Sequence, residues 1–104
     1  MKDKEVKKMD TYDLNELEGK KLIYERDEFK ARHIQLSEGD KIPPCDMSSH
    51  VIFIVMEGGV EITADDDREA LKEGECLFSE PGVYSMKTEK GAKLMGIQIE
   101  KVDG

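Results

Sequence analysis

Residues 39–59 read GDKIPPCDMSSHVIFIVMEGG, and residues 74–86 read GECLFSEPGVYSM. Within the first stretch, residues 51–56 form an unbroken apolar run that ends at Glu57-Gly58-Gly59. Val and Ile are stiff at χ1 and fit a pleated, buried surface better than a helix. A short run of them closed by turn residues therefore reads as a strand. In the second stretch, residues 76–78 and 83–87 repeat the pattern on either side of Pro81-Gly82, a pair that interrupts regular structure. Working outward, residues 21–25, 29–36, 60–64 and 94–99 are further strand candidates, separated by Gly, Pro, Asp and Ser clusters. Short strands at this spacing, with no long amphipathic helix, predict an all-β sandwich or barrel. Glu57-Gly58-Gly59 and Asp65-Asp66-Asp67 are expected as hairpin loops, because these residues tolerate turn dihedrals or bond their own backbone. A short helix around residues 14–17 would be peripheral.

The two stretches also carry a spacing. The glycines Gly39 and Gly58 frame one motif, and Gly74 and Gly82 a second, with Pro43-Pro44 and Pro81 beside them. Over residues 31–100 this resembles the cupin superfamily, in particular its small single-domain, RmlC-like members. Their first motif runs G-x5-H-x-H-x3-E-x6-G and their second G-x5-P-x-G-x2-H. Laid on this chain, the two His slots of the first motif hold Cys45 and Met47, its Glu slot holds Val51, and the His slot of the second holds Ser85. Glu80 stands in the Pro slot, with Pro81 one residue late. The resemblance implies a cupin-like double-stranded β-helix, or jelly-roll, barrel in which all four metal-ligand positions are replaced.

Length and composition bound the rest. At 104 residues the chain holds one modest core, expected as an N-terminal segment, 1–30, with one or two strands packing on a barrel of residues 31–104. No apolar run is long enough to span a membrane, and the Lys-rich start MKDKEVKK lacks the apolar stretch of a signal peptide, so a cytoplasmic location is expected. The net charge is −8, of which −7 falls after residue 30. Such a surface repels phosphate backbones, which argues against a nucleic-acid partner. The two cysteines, Cys45 and Cys76, form neither a disulfide framework nor a zinc pattern.

Strand alternation extends the resemblance to a site. Successive side chains on a strand face opposite ways. If Cys45 and Met47 point into the barrel as the family's ligands would, Val51, Phe53 and Val55 join them, and the candidate ligand pocket comprises Cys45, Met47, Val51, Phe53, Ser85 and Gln98. It is expected to be apolar and sulfur-rich. Residues 29–36 group His33 with Gln35 and Ile34 with Leu36, but alternation does not say which group is inside. Ile52, Ile54 and Met56 make the other face of their strand apolar too, unlike a half-solvated strand. A second subunit, forming a homodimer, is the expected cover, with the N-terminal segment as the competing one.

Four other chemistries compete for these residues. Cys45 and Met47, with His50, Met86, Met95 or His33, offer a soft-metal site suited to copper(I), although Met is also an ordinary filler of apolar cores. Cys45 with His50 as its base would need an electropositive setting that Asp46 and an apolar barrel do not provide. Ser85, Ser48 and Ser49 lack a nucleophile elbow. Asp65-Asp66-Asp67 lacks the ligand register of a calcium loop. The reading is therefore a small-molecule-binding protein with no cofactor and no metal. The alternative is a metal-dependent dioxygenase, isomerase or decarboxylase, as the resemblance implies, with Cys45, Met47 and His50 as altered ligands. One fold hosts many functions, so the fold does not choose between them.

Overall fold

The computed structural model describes residues 9–100, and strand dominates them. In chain order the strands are β1 (Lys21–Glu25), β2 (Phe29–Leu36), β3 (Lys41–Met47), β4 (His50–Ala64), β5 (Asp67–Lys72), β6 (Cys76–Ser79), β7 (Gly82–Lys87) and β8 (Ala92–Ile99). A single 3₁₀ turn, Leu14–Glu16, precedes them, capped by the Asp13 side chain, which accepts from the Asn15 N–H at 3.0 Å. All pairings are antiparallel.

The long strand β4 organises the molecule. Its first half lies between β8 and β6, in a sheet ordered β1-β2-β8-β4-β6. Its second half lies between β7 and β5, in a sheet ordered β3-β7-β4-β5. The chain passes from one sheet to the other at Glu57-Gly58-Gly59, next to a register shift between Val55 and Glu57. A bulge of this kind bends a strand and raises its twist. The expected hairpin loop at residues 57–59 is thus a bend within one strand, and the apolar runs 51–57 and 60–64 are its two halves. Turn-type residues there serve a sheet switch, which local composition does not distinguish from a reversal.

The second expected hairpin is present, with β4 and β5 joined through Asp65 and Asp66. Asp65 takes φ 54° and its carboxylate accepts from the Val83 N–H at 2.9 Å. A Cβ at Gly82 would sit 2.7 Å from Asp65 Oδ2 and displace this carboxylate. Two strands run where the sequence suggested punctuation. β3 contains Pro43 and Pro44 at its register shift, and as an edge strand it tolerates their missing N–H groups. β5 (DREALK) is mostly exposed and polar, held by its pairing with β4 rather than by burial.

Between the sheets lies one apolar cluster that includes Ile34, Leu36, Val51, Phe53, Val55, Ile62 and Leu94. Val55, Ile62 and Leu94 are at most 1% exposed. Ile34 and Leu36 are therefore the inner row of β2, and His33 and Gln35 belong to the outer one. The segment before β1 folds over that outer face. The Gly19 N–H donates to Gln35 Oε1 and its carbonyl accepts from the Gln35 N–H, both at 3.0 Å. Lys93 Nζ donates to the carbonyls of Leu14 and Asn15 at 3.3 and 3.4 Å. Among the described residues, no helix is long and apolar enough to cross a membrane.

Candidate functional site

Two neighbouring strands bring a charged side chain into the apolar interior. On β2, Arg32 shares the inner row with Ile34 and Leu36, and on β8, Gln98 shares it with Gly96 and Leu94. The register sets Arg32 against Gly96 and Lys30 against Gln98. Arg32 therefore lies across a residue with no side chain and diagonal to Gln98, and its Nε donates to Gln98 Oε1 at 2.7 Å. The amide of Gln98 in turn lies 3.6 Å from Met47 Sδ on β3 of the opposite sheet. A polar thread, Arg32 to Gln98 to Met47, thus spans the gap between sheets.

Beside this thread is a cavity of ≈ 170 Å³. Ile34, Ile42, Phe53, Tyr84 and Met86 supply its apolar wall. Phe53 and Tyr84 meet edge to face at 6.2 Å, an arrangement that aromatic quadrupoles favour. The Tyr84 hydroxyl donates to the Glu80 carbonyl. Gly96 makes room for the ring, since a Cβ there would stand 3.2 Å from Phe53 Cε1. Lys20 and Lys21, both exposed, and Arg32, half-buried, border the same cavity. His33 also borders it and is fully buried, at 0% exposed. Its Nδ1 lies 3.1 Å from the Gly19 carbonyl oxygen, a contact that requires the Nδ1–H form, and its Nε2 is buried with no partner.

Of the residues expected to form the pocket, Cys45, Met47, Phe53, Ser85 and Gln98 all border this cavity. Val51 does not. It is on the same face as Phe53 but is packed into the core at 1% exposed. Cys45 also departs from expectation in its surroundings, because its strand is a sheet edge and the residue is an exposed free thiol rather than an enclosed one. Cys76 is likewise free and exposed. His50 begins β4 opposite Ile99 and is not part of the cavity wall. It shares the strand face of Ile52 and Ile54, away from Val51 and Phe53. Arg32, Lys20 and Lys21 were missed by the sequence reading. For Arg32 a signal existed, since it falls in step with Ile34 and Leu36.

The residues at the four ligand positions do not fit a metal. Val51 offers no donor atom, Met47 sulfur faces the Gln98 amide, and Cys45 is exposed at an edge. Among the described residues, no three His, Cys, Asp or Glu side chains come together as a metal site would require. The carboxylate of Asp65, in the acidic hairpin, is used on the Val83 N–H.

No family model matches the sequence, and no curated protein aligns with it. Solved structures do resemble the fold. A cupin superfamily protein from Desulfitobacterium hafniense superposes with a TM-score of 0.77 at 12% identity, covering 92% of this chain and 94% of that one. An RmlC-like cupin with a double-stranded β-helix fold from Methanocaldococcus jannaschii gives 0.74 at 17% identity, covering 92% and 93%. The cupin domain of Schizosaccharomyces pombe Cnp3 gives 0.78 at 15% identity, covering 88% of this chain and 69% of that one. At such identities the likeness is one of fold.

Proposed function

We propose that this chain, which has the cupin fold, is a small-molecule-binding protein whose site is the cavity between its two sheets. One observation carries the reading: five of the six residues that the degenerate motif positions and strand alternation single out border one cavity. Ligand sites are concave and mostly apolar, with a few placed polar groups, and Phe53, Met86 and Tyr84 with Gln98 match that description. Its volume of ≈ 170 Å³ suffices for a benzene-sized guest, which a cavity of roughly 150 Å³ accepts.

The test is direct. Titrating the protein with benzyl alcohol should give saturable NMR shifts at the Met47 and Met86 methyl groups and the Phe53 ring. A Met47→Trp variant that fills the mouth should lose them while keeping its β-sheet spectrum. Shifts that are absent, or that spread over surface residues without saturating, would remove this cavity as the site. The competing reading, a metal-dependent enzyme with Cys45, Met47 and His50 as ligands, predicts near-stoichiometric metal after purification without chelators, lost in Cys45→Ala and His50→Ala.

The assembly belongs to the same proposal. The outer face of β4, with Ile52, Ile54 and Met56, continues onto Met95 and Ile97 of β8 and Phe78 of β6, which is 72% exposed. An apolar face of this kind is suited to a second copy of the chain, giving a homodimer joined sheet to sheet.

A further inference from the structure

We infer that the ligand of this cavity is an organic anion, a small carboxylate with an apolar body about the size of a benzene ring, whose carboxylate is held by Arg32. This deepens the reading of the cavity as a ligand site and rests on it. The argument starts from charge. The chain carries 24 acidic and 16 basic residues, so a basic side chain has ample choice of carboxylate. Lys30 takes Glu25 at 3.7 Å and Lys87 takes Glu61 at 3.3 Å. Yet among the described residues no carboxylate is paired with Arg32, Lys20 or Lys21, the three basic residues that border the cavity.

Arg32 is the telling member. It sits in the inner row of β2, half-buried, where a charge loses much of its hydration and needs a partner of opposite sign or several hydrogen bonds. The only side-chain partner it has among the described residues is neutral, Gln98 through Nε. Among the described residues that single bond leaves the remaining N–H donors of the guanidinium uncommitted. A planar fork of this kind matches a carboxylate in two-pronged geometry. Lys20 at the same cavity adds positive potential, which low-dielectric walls concentrate. Away from the cations, Ile42, Phe53 and Met86 make the wall apolar. The site therefore asks for a molecule that is anionic at one end and apolar at the other.

The experiment compares benzoate with benzyl alcohol, which have similar shape and differ in charge, by calorimetric titration of the whole chain. Benzoate should bind at least about tenfold more tightly, the scale of one charge-assisted hydrogen bond, and the preference should shrink as salt is raised. In Arg32→Gln benzoate should lose much more affinity than benzyl alcohol, leaving at most the small preference that Lys20 supplies. Arg32→Lys, which keeps the charge without the fork, should restore part of the lost preference. Equal affinities in the unaltered chain overturn the anion assignment, and a preference undiminished in Arg32→Gln overturns the assignment of the carboxylate to Arg32; either result leaves the cavity reading standing. Binding of neither compound overturns both. An amide correlation spectrum of Arg32→Gln that superposes on the parent outside the cavity excludes misfolding as the cause of a lost preference.

Discussion

Gly58 is a residue whose identity is set by backbone geometry alone. It takes φ +74°, and a Cβ at this position would clash with the Gly91 carbonyl oxygen. That carbonyl also accepts from the Gly59 N–H at 3.3 Å. Thr88, buried at 6% exposed, completes the clamp: its hydroxyl donates to the Gly59 carbonyl at 2.6 Å and accepts from the Gly91 N–H at 3.0 Å. The switch of β4 between sheets is thus bolted to the β7–β8 connection. Gly58→Ala combines a disfavoured dihedral with a backbone clash that no side-chain motion relieves, and should lower stability by at least about 2 kcal/mol in urea denaturation. By contrast Gly39→Ala, at φ +80° with no atom within 4 Å, bears the dihedral penalty alone and should cost about 1 kcal/mol. Equal losses at the two positions would show that the clamp is not what Gly58 serves. The glycine spacing was visible in the sequence, whereas the contact that requires it joins residues 33 positions apart and was not.

At the scale of elements, the seam between β4 and β8 holds the core. Val55 pairs with Leu94 across it, and the two side chains are 1% and 0% exposed. Burying a side chain of that size contributes about 2 kcal/mol, and deleting one leaves a cavity besides. Leu94→Ala should accordingly destabilise the protein by about 3 kcal/mol. Leu71, half-buried on the polar edge strand β5, should lose only about 1 kcal/mol on the same change. Losses of similar size would mean that the second sheet carries as much of the core as the first. Strands β2, β4 and β8 were legible as strands because their apolar residues recur with a strand's period and their inner rows are continuous. β3 and β5 were not. Their pairing with β7 and β4 makes them strands in spite of two prolines in one and a charged sequence in the other, and pairing is not a local property.

For the whole molecule, the outer face of the larger sheet sets the expectation for assembly. The segment before β1 reaches β2 and β8 there, anchored by Lys93 and Gln35, while Phe78 and Ile99 stay exposed at 72% and 38%. Sedimentation should give about twice the 11.8 kDa chain mass. Ile54→Lys, placing a charge in the middle of that face, should halve the mass without altering the β spectrum. A parent protein that sediments as a monomer at micromolar concentration would end the dimer proposal. The sequence by itself determined that strand dominates the fold, which apolar residues share a strand face, and where the glycine frames and the replaced ligand positions lie. These follow from composition and a period of two, both properties of neighbouring residues. Only the tertiary structure decided that residues 57–59 bend a strand between two sheets, that Cys45 is exposed at an edge, that Val51 is core rather than cavity wall, and that Arg32 reaches inward to Gln98. Each of these depends on which strands pair and in what register, and register is settled by burial summed over both sheets, far beyond the span of any local pattern.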